Sequence, residues 1–242
     1  MTSYSIPEQR TQAQALVNSF VQSVYQWMAV GLALTGFTAF YVANSESMVE
    51  LIFGNQLIFF GLIIGELAMV WTLSARINKM QASTATMMFL AYSALNGVTL
   101  SSIFIVYAMS SIASTFFICS ATFVACSVYG MTTKRDLTSF GSFFIMGLFG
   151  IIIASVINLF LRSSAMQMII SYVGVIVFVG LTAYDTQKIK LMALTQPSDL
   201  EAGVIRKGAI IGALELYLDF INLSVLNAAQ NFRRQQRLRI LL

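Results

Sequence analysis

Long apolar runs separated by short polar segments make up most of this chain. Each run has about the 20 residues that an α-helix needs to cross the hydrocarbon core of a bilayer, and none alternates polar and apolar residues like a membrane β-strand. The pattern predicts an all-α integral membrane protein, a bundle of seven helices. We place the spans at residues 24–43, 57–73, 86–108, 112–131, 140–161 and 168–184, with a more polar seventh at 208–226.

Composition strengthens this prediction. Of the 242 residues, 57% are hydrophobic and only 10% are charged, against about 25% charged residues in an ordinary soluble domain. A polar N-terminal tail, 1–23, precedes the membrane domain, 24–227, and an arginine-rich tail, 228–242, follows it. The first twenty residues lack the apolar core of a cleavable signal peptide, so we expect the first span to act as the insertion signal.

Basic residues predict the orientation. If the N-terminus is cytoplasmic, the loops on the opposite side of the membrane contain a single basic residue, Arg162. The positive-inside rule favours this arrangement. The cytoplasmic segments then hold Arg10, Arg76, Lys79, Lys134, Arg135, Lys188, Lys190, Arg206 and Lys207. The arginines of the C-terminal tail would prefer the same side, so either the seventh segment is re-entrant or it spans and the tail breaks the rule. Topology and anionic membrane lipid account for the net charge of +4, with no nucleic acid as partner.

Several chemistries are absent from the sequence. It has no histidine, no Cys/His metal spacing, no glycine-rich phosphate loop and no G-x-S-x-G nucleophile motif, so we expect no enzyme, no cofactor and no firm metal site. Cys119 and Cys126 lie seven residues apart on one face of the fourth span, where thiols behave as small apolar groups.

The ionisable residues within the spans are the candidates for function, because each is costly at the middle of a membrane. On the seventh segment Glu215, Asp219 and Asn222 continue a stripe begun by Gly208 and Gly212, which puts them on one helical face. That face should contact other helices or a water-filled cavity, and the seventh helix should therefore be central. Neighbouring carboxylates in such a place are expected to share one proton at neutral pH.

Two further acids have simpler interpretations. Asp185, at the end of the sixth span, could pair with Lys188 at the membrane boundary. Glu66, in the second span, could pair with a basic group such as Arg76 or could accept a hydrogen bond from a hydroxyl.

Four segments carry a resemblance to a known family. GVIVFVGLTAYDTQKIK, LELYLDFINL, TTKRDL and YSALNGVTLSSIFIVY resemble the Bax inhibitor-1 family, in particular its bacterial branch. The resemblance implies a seven-helix bundle in which the seventh helix is enclosed by the other six. It also implies a pH-sensitive leak for calcium and other cations, with a pair of aspartates as the pH sensor.

By position, the resemblance assigns those aspartates to Asp185 and Asp219, and the basic residue that locks the pair to Arg76. Glu215 lies outside the usual pair and would add a third acid, while Asn222 is a further candidate for the cation path. Two carboxylates that share a proton lose a hydrogen bond and gain repulsion when that proton leaves. The sixth and seventh helices could then part or bind calcium, for which Asp185 and Asp219 are possible ligands.

Two other functions fit part of the pattern. Paired intramembrane aspartates also occur in proteases that cut inside membranes, but Asp219 is not preceded by the Gly-x-Gly of those enzymes, and neither proline stands before Ala-Leu. The resemblance also allows a membrane-embedded regulator that binds other membrane proteins, such as a protease or a stress or cell-death modulator. We expect location in a bacterial inner membrane, with a cytoplasmic N-terminus.

Overall fold

The fold consists of helices alone wherever the structure describes it. The computed structural model describes residues 6–195 and 200–241, with side chains described over 15–195 and 200–231. The helices are α1 (Ile6–Ala43), α2 (Glu46–Phe53), α3 (Gln56–Arg76), α4 (Ala82–Val106), α5 (Met109–Thr132), α6 (Thr138–Leu161), α7 (Ser164–Thr195) and α8 (Ala202–Leu241), with a 3-10 turn at Ile77–Lys79. The predicted all-α class is confirmed.

Seven of these helices are long and apolar enough to cross a membrane. The exception is α2, a helix of 8 residues between the first two spans that the sequence pattern missed. The first and last spans are longer than predicted, running over Ala15–Ala43 and Ala202–Asn231. Helical hydrogen bonding continues through polar residues, whereas a hydropathy pattern ends at them, and this accounts for the difference.

The predicted limits of both tails, at residues 24 and 228, fall inside helices. α1 starts at Ile6, and Val17 and Phe20 are only 4% and 3% exposed, so residue 24 is not a structural boundary. At the other end, α8 is continuous from Ala202 to Leu241, about 60 Å at 1.5 Å per residue. A continuous helix cannot double back within the membrane, and the re-entrant alternative for the seventh segment is therefore wrong.

The described residues form two compact units, each with its own packing. The first comprises those of Met1–Val106 and Ile189–Tyr217, and the second those of Tyr107–Lys188 and Leu218–Leu242. In the first unit α1 and α4 meet at glycines. A Cβ added to Gly97 would lie 2.6 Å from the Thr35 carbonyl oxygen, and one added to Gly31 would lie 2.6 Å from the Phe89 ring. Small residues permit this close approach, as is usual between membrane helices.

One end of the first unit collects segments that the sequence assigns to one side of the membrane. Arg206 Nε donates to Thr86 Oγ1 at 3.1 Å, and its guanidinium lies 5.4 Å from the centre of the Trp27 ring. Lys207 Nζ donates to the Asn78 carbonyl oxygen at 3.3 Å. These contacts bring the starts of α4 and α8 to the 3-10 turn after α3, as the predicted alternation of spans requires.

In the second unit α6 and α7 run antiparallel with glycines set against bulky side chains. Gly147 faces Val177, whose Cγ2 would lie 2.9 Å from an added Cβ. The same relationship holds at two more levels, where the added Cβ would clash with an aromatic ring: Gly141 against Tyr184, and Gly180 against Phe144. This alternation fixes the register of the two helices.

Burial differs strongly among the spans. In the last span 56% of the most apolar window is buried inside the protein, whereas the windows in Gln56–Lys79 and Thr138–Leu161 are each 6% buried. The weakly buried spans expose large aliphatic and aromatic side chains, as lipid-facing helices do. The strong burial of the last span agrees with its polar stripe, and its central position stays a prediction.

Candidate functional site

Asp219 lies in the middle of α8 within the second unit. It is 4% exposed, and its Oδ2 atom is buried. The next residue, Phe220, packs edge-on against Phe116 and Phe123 of α5, with ring centres 5.6 and 5.5 Å apart. From the same helix, the Cys126 thiol lies within the electrostatic reach of the Asp219 carboxylate. Packing against α5 therefore holds this acid in place within a membrane span.

Asp185 is half-buried on α7, in a stretch held by its neighbours on both sides. A Cβ added to Gly130 of α5 would lie 3.0 Å from Thr186 Cβ, and Thr186 Oγ1 lies 3.5 Å from Ser127 Oγ. The Tyr184 ring fills the space beside Gly141 of α6. Because the residues next to Asp185 contact both α5 and α6, the backbone that carries this acid has little freedom.

Gln187 fastens the same stretch to the loop between α5 and α6. Its Oε1 accepts a hydrogen bond of 2.8 Å from the Leu137 N–H, and its Nε2 donates one of 2.8 Å to the Arg135 carbonyl oxygen. The side chain is 7% exposed. Sequence reasoning missed this role, because a lone glutamine near the end of a span has no distinctive pattern.

Two contacts between α7 and α8 give their register. Gly174 faces Leu226, and Gln230 Nε2 donates to the Ser171 carbonyl oxygen at 3.0 Å. The helices are antiparallel, so each step forward on α7 is matched by a step back on α8. Continued toward Asp219, this register puts the acid opposite positions 181 and 182 of α7. Asp185 is then about one helical turn away along the axis, at roughly 5 Å.

Asn222 follows Asp219 by about one turn of α8. Its Nδ2 donates to the Leu218 carbonyl oxygen at 2.8 Å. The residue lines a pocket of about 330 Å³ among α6, α7 and α8, where every other lining side chain except Ser155 is aliphatic or aromatic. The amide thus satisfies its own helix, and its role in a cation path stays a prediction.

Arg76 and Glu215 belong to the first unit. Arg76 is exposed in the last turn of α3, and Glu215 is half-buried on α8 with its Oε2 atom buried. The proposed lock by Arg76 and the influence of Glu215 on the aspartate pair stay predictions. In the part of the chain that the structure describes, no three His, Cys, Asp or Glu side chains are grouped as metal ligands.

Glu66 has the simpler of its two predicted partners. Its Oε1 accepts a hydrogen bond from the Thr99 hydroxyl of α4. One turn before Thr99 on α4, Asn96 Nδ2 donates to the Tyr92 hydroxyl at 3.0 Å. The Tyr92 ring lies edge-on to the Tyr217 ring, with centres 5.9 Å apart. A buried polar cluster therefore runs through the first unit.

Sequence reasoning missed this cluster. A hydroxyl within a span can bond to the carbonyl four residues earlier in its own helix, as Thr35 Oγ1 does to the Gly31 carbonyl oxygen at 2.9 Å. Its presence in an apolar run therefore says nothing about contacts with other helices. The grouping of Tyr92 and Asn96 on one face of the third predicted span was the available signal.

The loop between α5 and α6 carries the third acid of the second unit, outside the membrane-spanning segments. Asp136 Oδ1 accepts hydrogen bonds from the Thr138 N–H at 2.9 Å and from the Thr138 hydroxyl at 2.6 Å. These hydrogen bonds lower the pKa of Asp136 below its ordinary value, and the bond from the hydroxyl has the larger effect. Lys134 and Arg135 precede Asp136 in the same loop. This end of the second unit therefore carries charges of both signs.

Comparison with known proteins is decisive for the family. The model of the family described as "Inhibitor of apoptosis-promoting Bax1" matches residues 17–233, and it covers both aspartates and all seven spans for most of their length. The chain belongs to the Bax inhibitor-1 family. The expectation from the four quoted segments is confirmed.

Relatives of this Bax inhibitor-1 protein occur in several bacteria. It is 53% identical over 212 residues to "Inner membrane protein YbhL" of Escherichia coli (strain K12), which covers 88% of this chain and 90% of that one. An uncharacterised protein of Borreliella burgdorferi is 44% identical over 215 residues, 89% of this chain and 92% of its own. Another, from Rickettsia prowazekii, is 45% identical over 206 residues, 84% and 85% of the two chains.

Proposed function

We propose that this protein is a pH-sensitive leak path for cations, calcium among them, in a bacterial inner membrane. The observation that carries the proposal is Asp219, an acid 4% exposed within a membrane span and about one turn from Asp185 in the register of α7 and α8. An intramembrane carboxyl group is costly, so it is retained where it pairs, binds a proton or meets a cation. The name of the relative YbhL supports the location.

Protonation would operate the gate through these two acids. Two carboxylates at close range hold one proton between them, and loss of that proton replaces attraction with repulsion. The ionised pair also offers the oxygen ligands that calcium prefers. Other titratable groups nearby are Cys126 on α5, Tyr184 and Lys188 on α7, and the loop residues Lys134, Arg135 and Asp136.

Calcium flux in proteoliposomes across a series of pH values tests the proposal. Asp219→Asn and Asp185→Asn remove an ionisable group while keeping the size of the side chain, and each should flatten the dependence of flux on pH. Asp136→Asn is the matched control, because it makes the same change in an exposed loop, and its profile should match that of the wild type. Pair mutants that retain the wild-type profile would disprove the gate.

Glu215 and Arg76 can be assigned by the same measurement. If Glu215 contributes to the titration, Glu215→Gln should shift the midpoint of the pH profile without abolishing it. If Arg76 locks the pair, Arg76→Gln should raise the flux at the pH where the wild type is closed. Lys79→Gln is the control for Arg76, since it removes a neighbouring positive charge from the same turn.

A second candidate function is regulation through binding of other membrane proteins. The description of the matching family, "Inhibitor of apoptosis-promoting Bax1", favours it. The polar N-terminal tail predicted from the sequence is the place where we would seek such a partner. A pull-down that compares the full chain with one lacking residues 1–14 tests this, and a longer deletion would remove the buried Val17 and Phe20. An unchanged set of captured proteins would exclude a role for that segment.

A further inference from the structure

The half of α8 beyond Asp219 carries a row of polar side chains that meets polar atoms of α5. Asn231 Nδ2 donates to Thr115 Oγ1 at 3.0 Å. About one turn nearer to Asp219, the Cys119 thiol lies beside the side chains of Ser224 and Asn227, and its Sγ donates to the Leu223 carbonyl oxygen at 3.7 Å. Thr115 and Cys119 are 4% and 0% exposed, so these contacts are interior to the second unit.

The contacts follow one another in order along the two helices. From the start of α5 toward its end, Thr115 pairs with Asn231, Cys119 with Leu223 and Phe123 with Phe220. The Cys126 thiol is then within the field of Asp219. α5 and α8 are therefore antiparallel neighbours, and polar atoms occur at successive levels between the α4–α5 connection and the proposed gate.

One level in this series is apolar. Phe220 and Phe123 are each 5% exposed, and their rings meet edge to face. On α5, Phe123 lies between Cys119 and Cys126, and the Phe220 ring also packs against Phe116, next to Thr115. A narrow apolar ring in an otherwise polar passage stops ions by excluding water. The order from the α4–α5 connection is then a polar row, an aromatic barrier and the buried acid.

Part of this row of polar side chains could serve only to hold the helices together, because hydrogen bonds from amides between helices are common in membranes. Ser224 is the exception. Its Oγ atom is buried and has no hydrogen-bond partner of ordinary geometry among the described residues, although it faces the Cys119 thiol. A buried hydroxyl without a hydrogen bond carries a free-energy cost of desolvation. A water molecule or hydrated cation beside Ser224 would remove that cost.

We propose that Thr115, Cys119, Ser224, Asn227 and Asn231 line the half of the cation path between the α4–α5 connection and Asp219. This inference rests on the proposed cation leak and adds a route to it. The lining offers hydroxyl and amide oxygens, which are ligands suited to a partly hydrated calcium ion. The Phe220–Phe123 pair separates this half from the acid, so its two sides should differ in access to water-soluble probes.

The two cysteines of the chain stand on opposite sides of that barrier and report on it directly. Cys126→Ser leaves Cys119 as the single thiol, and Cys119→Ser leaves Cys126. Each variant in proteoliposomes is treated with a small cationic methanethiosulfonate reagent that does not cross membranes, supplied on both faces. Mass spectrometry counts the modified thiol, and calcium flux is measured before and after treatment.

We expect the reagent to modify Cys119 in the Cys126→Ser protein and to remove most of its calcium flux. Cys126 lies beyond the aromatic pair and should react much more slowly in the Cys119→Ser protein at the pH of lowest flux. Phe220→Ala added to Cys119→Ser should accelerate that reaction. Phe149→Ala, at a lipid-facing position 61% exposed on α6, is the control and should leave it unchanged.

Three results would overturn the inference. An unmodified Cys119 would show that water does not enter the row, whether or not calcium flows. A modified Cys119 with undiminished flux would show that ions travel elsewhere. Equal reaction rates of Cys126 with and without the Phe220 ring would show that the Phe220–Phe123 pair is not a barrier. By contrast, an absence of pH-dependent flux in every variant counts against the proposed function, and the labelling of Cys119 still reports on the row.

Discussion

Tyr217 of α8 and Thr35 of α1 are joined by a hydrogen bond of 2.7 Å between their hydroxyl oxygens, across 182 positions of the chain. Thr35 Oγ1 also lies 2.8 Å from the Ser93 carbonyl oxygen and 2.9 Å from the Gly31 carbonyl oxygen. Its single proton is needed for these acceptors, so Tyr217 is the donor of the bond between the two hydroxyls. This contact ties α1, α4 and α8 together in the first unit.

The two partners of this bond should differ in their effect on stability. Tyr217→Phe removes a donor and leaves Thr35 bonded to carbonyl oxygens, so we expect a loss of about 1 kcal/mol in the free energy of unfolding. Thr35→Val leaves the phenol of Tyr217, which is fully buried, without its acceptor and should cost about 1–3 kcal/mol. Thermal unfolding in detergent measures both. Tyr41→Phe, at a position 60% exposed, should leave the midpoint unchanged, and equal effects of the first two variants would contradict the assignment of donor and acceptor.

The contact between Gly180 and Phe144 should not tolerate one added carbon. The Cβ of Gly180→Ala would clash with the Phe144 ring, and overpacking of this kind typically costs about 1–3 kcal/mol. Gly150→Ala is the matched control on α6, because nothing lies within 4 Å of the position of its Cβ. We expect a lower unfolding midpoint for the first variant and an unchanged or slightly higher one for the second. A stable Gly180→Ala protein would show that α6 and α7 are not held in this register.

Gln187 should control the exposure of the α5–α6 loop to proteases. Trypsin cleaves after Lys134 and Arg135, and the loop is held by the two hydrogen bonds of the Gln187 amide. Gln187→Ala removes both and should accelerate cleavage at these residues. Gln187→Glu keeps the acceptor for the Leu137 N–H and loses the donor for the Arg135 carbonyl oxygen, so it should be intermediate. Gln22→Ala, an exposed change on α1, serves as control, and identical cleavage rates in all variants would refute the role of the amide.

Asp136 should respond to the loss of the Thr138 hydroxyl. Its pKa is lowered from the ordinary value of 3.8, chiefly by the hydrogen bond from that hydroxyl. Its contribution to stability is therefore present above the ordinary value and is lost as the pH falls through the lowered pKa. Thr138→Val should raise the pKa of Asp136 toward 3.8 while keeping the bond from the N–H. Carboxyl carbon NMR of selectively labelled protein follows the titration, and an unchanged midpoint would show that the hydroxyl has no influence.

The number of spans could be read from the sequence because each span is a local property. A run such as 140–161 is apolar enough to cross the bilayer whatever surrounds it, and it became α6 within two residues of the predicted limits. The predicted ends of the spans were wrong where a helix continues through polar residues. α8 continues well past residue 226, where the side-chain amides of Gln230 and Asn231 bond to α7 and α5.

The acids show the same division. Asp219 stood out because a carboxyl group in an apolar run is conspicuous. Thr115, Asn227 and Asn231 did not, since hydroxyls and amides are tolerated in spans and can satisfy their own backbone. Contacts of such residues between helices follow only from the tertiary structure, in which Asn231 and Thr115, 116 positions apart, share a hydrogen bond.

By itself the sequence determined the all-α membrane fold, the count of its spans and the identity of the few acids within them, because hydrophobic length and the cost of intramembrane charge act residue by residue. The tertiary structure decided the register of the helices, and with it the partner of Glu66 and the bond between Tyr217 and Thr35. Apolar helix surfaces attract lipid about as well as they attract one another. Register therefore depends on where glycines meet rings and where donors meet acceptors, and such meetings between distant segments have no local signature.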